Sequence, residues 1–351
     1  MHVTFYHDCD IPIPPPLYGG TERVIYWLGK ALVQLGHQVT LLARPGSRIP
    51  GAELRSLTAV HGAGTDWTQL VPASCDLLHL WSPPSGRLPK PFLVTMGSNG
   101  RPGVSFPRNT VFVSRMHAAN HRSRHFVYNG IDPTEYECCS ARAEYAVFLA
   151  KAQTRTKNLT GAIHVAREAG ITLHVLGSRN WPWNLQRLLP TIRGVQYHGM
   201  VGGREKRKLL ARARCLIFPV RYPEPFGVAV TEALVSGCYV VGTPHGALPE
   251  IVTPAVGRLS TVVGDLVEAI RTPARFDPQA CRNRVLEGGF THLDMAQHYL
   301  RYYETVLTQG QLGEADEASP GTIPGFDYRQ PLPWDERSCR VPCGPPRSSR
   351  T

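Results

Sequence analysis

Nowhere in the 351 residues is there an apolar run long enough to cross a bilayer. The first ten residues, "MHVTFYHDCD", also lack the basic, apolar, small-residue order of a secretory leader. Neither a membrane span nor export is therefore expected. Cysteine is present but without pattern. There are nine, an odd number, and only Cys138 with Cys139 and Cys339 with Cys343 stand close together. No second pair at ligand spacing accompanies either one. That argues against a disulfide framework or zinc site and predicts a reducing, cytoplasmic setting. No G-x-G-x-x-G follows the first predicted strand, which disfavours a nicotinamide-dependent dehydrogenase. Acids are missing altogether between Arg101 and Ile131, where Arg101, Arg108, Arg115, Arg122 and Arg124 all fall. The plain reading of that stretch is a solvated face; the sharper one is contact with an anionic membrane or a phosphate-bearing acceptor. It shows no aromatic pattern suited to stacking bases, so nucleic acid is not an expected partner.

What is present suits a soluble protein of two domains: 42% hydrophobic and 19% charged residues over a length that supports two cores. A formal charge of +11 biases the surface towards anions such as nucleotides. Strand "HVTFY", the Pro-rich loop "DIPIPPPLYGG" and a helix from Thr21 to Leu35 open the chain, and Gly36 stops that helix. Apolar segments "QVTLLAR", "CDLLHLW", "PFLVTMG" and "NTVFVS" follow as strands. A second α/β unit begins near Glu144 with strand "YAVFLAK". It continues through helix "NLTGAIHVAREAG", strand "TLHVLGS", helix "REKRKLLARA", strand "ARCLIFPV", helix "VAVTEALVSG" and strand "CYVVGTP". The alternation predicts two doubly wound, Rossmann-like α/β domains facing a cleft. We place the first domain at 1–137 and the second at 138–290. A C-terminal helix at 291–308 crosses back to the first domain, and a tail from 309 to 351 is too poor in core-forming residues to fold.

Ligands of such domains gather at strand carboxyl ends beside helix N-termini. Three loops stand there. In "YGGTE", Gly19 and Gly20 let backbone approach a ligand closely, although a plain tight turn explains them equally well. In "LAKAQTRTKN", Lys151 and Lys157 sit at a strand end and a helix start, where the helix dipole disfavours a cation by roughly 0.3–1 kcal/mol. Cations placed against that preference suit a negative ligand, and exposed lysines suit solvent as well. In "RYPEPFGVAVTEALVSG", Glu224 and Glu232 bracket the turn Phe226-Gly227.

Taken together, "PPLYGGTERVIYWLGKALVQLGHQVTLLA", "VYNGIDPTEY", "KNLTGAI" and "EPFGVAVTEALVSGCYVVGTPHGALPEIV" resemble the retaining glycosyltransferases of family 4, which have the GT-B fold. The resemblance runs from the first strand to about Leu307, and its most specific element is the Glu-x7-Glu of Glu224 and Glu232. It implies that Glu232 receives the ribose hydroxyls of a nucleoside-diphosphate sugar and that Glu224 faces the transferred sugar. Amides around Phe226, Gly227 and Val228 would meet the diphosphate, with Lys157 and Lys151 neutralising it as it departs. Lys151 stands where the family usually has arginine, one residue further from Lys157. The family often places a histidine after the strand that here ends in Met96 and Gly97. Asn99 and His79 are the candidates to replace its sugar or acceptor contacts, and Glu250 matches a family position near the cleft; for His79 a satisfied histidine and for Glu250 a structural loop carboxylate stay open. No Asp-x-Asp metal motif is convincing, because Asp8 and Asp10 border the Pro-rich loop. Transfer without metal or cofactor is expected, to an acceptor that is a sugar, a lipid-linked sugar or a small metabolite. Two alternatives keep the fold: a catalytically weak nucleotide-sugar-binding protein and a nucleotide-sugar epimerase.

Overall fold

Strands that run parallel in one sheet need a crossover, and among the described residues helices supply many of these and loops such as 81–91 the rest. The computed structural model describes residues 1–57, 66–100, 105–177, 194–273 and 276–313. Their strands form two six-stranded sheets in which every pairing is parallel. The first contains β1 (His2–Tyr6), β2 (Gln38–Ala43), β3 (Glu53–Ser56), β4 (Leu77–Leu80), β5 (Phe92–Met96) and β6 (Thr110–Phe112), in the order β3-β2-β1-β4-β5-β6. The second contains β7 (Tyr145–Leu149), β8 (Thr172–Leu176), β9 (Val195–Tyr197), β10 (Cys215–Phe218), β11 (Tyr239–Gly242) and β12 (Gly257–Leu259), in the order β12-β11-β10-β7-β8-β9. The second sheet repeats the topology of the first. In each, strand order reverses beside the domain's opening strand, between β1 and β4 and again between β7 and β10. A doubly wound sheet has its crevice at that reversal. The architecture is thus α/β with two Rossmann-like domains, as the sequence predicts.

The helices are α1 (Gly20–Gln34), α2 (Arg115–Asn120), α3 (Leu159–Ala169), α4 (Gly203–Arg212) and α5 (Val228–Val235), followed by α6 (Leu248–Ile251), α7 (Val263–Arg271), α8 (Pro278–Leu286) and α9 (His292–Gln309). The apolar stripe of α1, with Val24, Ile25, Trp27, Leu28, Ala31 and Leu32, is buried against the first sheet, and Gly36 follows at φ +82° where a left-handed residue ends the helix. Helix α9 opens on a reciprocal cap: the Thr291 hydroxyl accepts from the Asp294 amide while the Asp294 carboxylate accepts from the Thr291 amide. It returns to the first domain. Tyr299 and Tyr303 enter that domain's core, where their hydroxyls meet Thr95 at 2.8 Å and His79 at 2.6 Å.

Two expectations change. His79 does not line the cleft. It is fully buried, with Nδ1 bonded to Tyr303 and Nε2 to Thr95 at 2.7 Å, and burial pushes its imidazole down to about 3. A neutral ring with both nitrogens engaged suits the interior, so His79 serves packing. The tail also starts later than 309. Leu312 is buried and its amide donates to Asn109 Oδ1 at 2.9 Å, while the Gly313 carbonyl lies 2.8 Å from His125 Nε2. Residues 310–313 are therefore docked, and 314–351 lie outside the described residues, as does Arg101.

Candidate active site

The carboxyl ends of β1, β4, β7 and β10 open onto one cavity of about 630 Å³ between the domains, within the usual size range of ligand sites. Its walls bring together Gly19, Gly20, Asn99, Lys151, Lys157, Glu224, Phe226, Gly227, Val228 and Glu232. These come from four separate segments of sequence, gathered because each follows a strand that ends at the crevice.

Both helices that start at the cavity, α1 and α5, lack a side-chain cap. Their first amides are therefore available to a ligand. Gly227 precedes α5 at φ +101°, and Gly19 precedes α1 at φ +154°, conformations that disfavour a side chain. At Gly19 there is also no room: a Cβ would stand 2.6 Å from Pro15 and 2.7 Å from the Glu22 carboxylate. Gly20 is a different case, being helical with open space where a Cβ would go, so only the first glycine is required by conformation. Phe226 is buried and packs its ring against Tyr128 and Phe290, which anchors the turn.

The two glutamates have matching surroundings. Glu224 Oε2 accepts from Lys157 Nζ at 2.6 Å and from Tyr222 Oη at 2.7 Å. Glu232 Oε1 accepts from Tyr136 Oη at 2.6 Å and from Lys206 Nζ. Each acid thus uses one oxygen on a lysine–tyrosine pair and presents the other. Burial alone would raise the Glu232 carboxyl, but Lys206, Arg23 and Tyr136 outweigh it and hold the group below the usual carboxylate range. Burial pushes Lys206 the other way, below the ordinary lysine value, with Glu232 opposing. Burial, together with Glu224, raises the Tyr222 hydroxyl, which stays a protonated donor.

Lys206, Tyr136 and Tyr222 escape the sequence reading. Lys206 had a signal: it shares a helical face with Leu210 and precedes Ala213 by seven, so a cation stands at a core position. The tyrosines had none, because their roles come from chain segments far apart. Four cations (Arg23, Lys151, Lys157 and Lys206) face three carboxylates (Glu22, Glu224 and Glu232) in the cavity wall. Among the described residues Lys151 forms no ion pair; its ammonium lies 4.7 Å from the Tyr18 ring centroid.

The remaining candidates join the domains. Asn99 donates from Nδ2 to the Pro223 carbonyl at 2.8 Å, and the Ser114 hydroxyl donates to the Pro225 carbonyl at 2.6 Å. The Glu224 turn is thus held by the first domain. Glu250 is absent from the cavity wall. Its carboxylate accepts from the amides of Arg115 at 3.1 Å and Met116 at 2.8 Å, and from Tyr128 Oη at 2.8 Å. It therefore stabilises the start of α2 across the domain boundary. Of the basic stretch, Arg108 and Arg122 line a second cavity, with His121 and His125, that shares no residue with the first. None of the seven described cysteines forms a disulfide. No described helix is long and apolar enough to cross a membrane.

Residues 145–273 match the family model "Glycosyl transferases group 1". No curated protein matches the chain. Among solved structures it resembles AviGT4, a glycosyltransferase involved in avilamycin A biosynthesis, at 25% identity and a TM-score of 0.73 over 88% of this chain and 98% of that one. Sucrose-phosphate synthase from Thermosynechococcus elongatus superposes with a TM-score of 0.67 at 16% identity, covering 88% of this chain and 99% of its own. HepE from Anabaena, in complex with UDP and glucose, gives 0.61 at 14% identity over 87% and 100%. The last two likenesses concern the fold alone. The family match over the second domain and the similarity along the chain together support a glycosyltransferase of GT-B fold.

Proposed function

We propose that the chain transfers a sugar from a nucleoside-diphosphate sugar to an acceptor hydroxyl, with retention of anomeric configuration and without metal in the transfer step. The observation that carries this is the pair of glutamate–lysine–tyrosine clusters flanking the uncapped start of α5. Glu232, ionised and braced, offers its second oxygen to vicinal hydroxyls such as those of a ribose. Glu224 does the same for the transferred sugar. The α5 amides lie between them, where a diphosphate linking those two moieties would run.

Cleavage of the sugar–phosphate bond builds negative charge on the leaving oxygens. The helix end supplies at most ~2 kcal/mol towards the roughly 8–23 kcal/mol an enzyme must provide. Lys157 and Lys206 are already paired with carboxylates. Of the two cavity cations without such a partner, Arg23 is engaged by the Pro15 and Leu17 carbonyls, which leaves Lys151 as the ammonium that a diphosphate would meet. Preorganised donors and cations worth about 3 kcal/mol each make up the difference. In this scheme the departing phosphate takes the acceptor proton, and no side chain need act as a strong base. On the outer edge, Arg108 and Arg122 would be the contacts through which the first domain meets an anionic surface.

A thermal-shift screen of nucleoside diphosphates and their sugars tests the reading. UDP and UDP-glucose are natural first probes because HepE is described in complex with UDP and glucose. Binding to the folded state alone raises the melting temperature with occupancy. A shift in the wild type that is lost in Glu232→Gln supports the assignment. Donor binding with neither hydrolysis nor transfer to any acceptor would leave the binding-protein reading instead.

A further inference from the structure

Just inside the first-domain wall of the cavity, three side chains of different chemistry converge. His7 follows β1, Cys9 lies in the loop beyond it, and Glu22 belongs to the first turn of α1. One ligand atom from each lies within 4.8 Å of the other two, and no other group of this kind occurs among the described residues. His7 Nε2 stands 3.4 Å from Glu22 Oε1, and Cys9 Sγ stands 3.2 Å from the same oxygen. A tetrahedral zinc ion with bonds of about 2.0–2.3 Å separates neighbouring ligand atoms by roughly 3.3–3.6 Å. Two edges of that figure are therefore already present.

The cluster has hydrogen bonds but, among the described residues, no strong cation. Glu22 is 6% exposed, and among the described residues no lysine or arginine lies within ion-pair distance of it. Its neighbour Arg23 turns the guanidinium away to the Pro15 and Leu17 carbonyls. A buried carboxylate without a strong cation is costly. Gly19 keeps the space beside this carboxylate clear, since a Cβ there would stand 2.7 Å from Glu22 Oε2. Imidazole, thiolate and carboxylate together make a borderline-soft donor set, which favours zinc over magnesium, calcium or manganese.

We propose that His7, Cys9 and Glu22 form a binding site for a zinc-class divalent cation, with three protein ligands and a fourth position open towards the cavity that Cys9 and Glu22 line. On binding, the Cys9 sulfur exchanges its proton for the metal, and the proton leaves to solvent. The ion fixes the β1–α1 loop to the helix. Its open position accepts water, and ion binding does not rest on the transferase reading. All three ligands come from the first domain, whereas Lys151 and Lys157 follow the first strand of the second.

Metal-stripped full-length protein titrated with cobalt(II), then with zinc, provides the test. One equivalent of cobalt should give a sulfur-to-cobalt charge-transfer band that zinc abolishes, and zinc should raise the melting temperature. Cys9→Ser should lose the band, while His7→Ala should weaken affinity by at least ~10-fold, the loss expected even for outer-shell partners of a metal. Glu22→Gln should do likewise. Should that buried substitution prevent folding, the two partly exposed positions decide the matter, with far-UV circular dichroism confirming their folds. A band that persists in Cys9→Ser would place the metal on another cysteine and overturn the proposal. So would a wild type with neither band nor zinc-dependent melting shift. Neither result would bear on donor binding, which is read separately with UDP.

Discussion

Lys151 and Lys157 are six positions apart on one loop, yet their electrostatic situations differ. Lys157 meets Glu224 at 2.6 Å, whereas Lys151 rests over the Tyr18 ring. On the proposed transferase reading, Lys151 would therefore meet a departing diphosphate with a charge that no carboxylate cancels. Lys151→Ala should lower kcat on the order of 10²–10³-fold, the loss typical of one preorganised stabilising group. Donor KM should change far less; a KM effect alone, measured by steady-state kinetics, would assign Lys151 to ground-state binding. At the second cluster, removing one member of a buried ion pair strands the other and typically costs about 3–5 kcal/mol. Lys206→Met should approach that in denaturant unfolding, and adding Glu232→Gln should restore much of it. The pH dependence has a definite sign. Glu232 has a folded value below its unfolded value of about 4.3. Its stabilising contribution is complete above the unfolded value and is lost as pH falls through the folded one. The stability gap between wild type and Glu232→Gln should thus shrink on the acid side. Glu224, Glu232 and both lysines were legible as types at telling positions. Their partners were not, because pairing of Tyr136 or Lys206 with Glu232 is set only when distant segments pack.

Elements with a long apolar period, such as α1, α3 and α9, can be read directly from sequence, as can the buried strands β1, β2, β7 and β10. Short ones cannot. β9 and β12 are three residues each, and β3 is partly exposed with no apolar alternation. They are strands because a neighbour offers a ladder, which no local pattern records. Helix α2 is similar: six residues whose first amides find Ser114 on their own chain and Glu250 on the other domain. Glu250 thus works as a cap supplied in trans between domains. Loss of a helix cap costs typically ~1 kcal/mol. Glu250→Ala should lower stability by about that amount in urea and weaken donor binding modestly, because α2 and the Glu224 turn are held together through Ser114 and Pro225. Lost turnover with unchanged stability would return Glu250 to the list of direct substrate contacts.

At the scale of the molecule, two copies of one topology face each other, and both their α/β class and their order along the chain were visible in the alternation of strand and helix. Their mutual fit was not. Gly202 approaches the first domain so closely that a Cβ would stand 2.3 Å from the Pro16 carbonyl, and nothing local marks that glycine as an interface residue. The C-terminal end shows the same limit. Composition after Gln309 gives no hint of folding, yet Leu312 is 1% exposed, and the Asn109 side chain holds the Gly310 carbonyl at 3.3 Å and the Leu312 amide at 2.9 Å. Burying a leucine side chain contributes about 1.5–3 kcal/mol. Truncation after Gln309 should therefore lower the melting temperature relative to truncation after Gly313, by the loss of that leucine and the two hydrogen bonds to Asn109. Leu312→Ala in the full-length chain should reproduce most of the decrease, since it keeps the backbone contacts and removes the buried side chain. Equal melting temperatures for the two truncations would mean that the docked segment adds nothing to the fold, and that α9 alone closes the first domain's core.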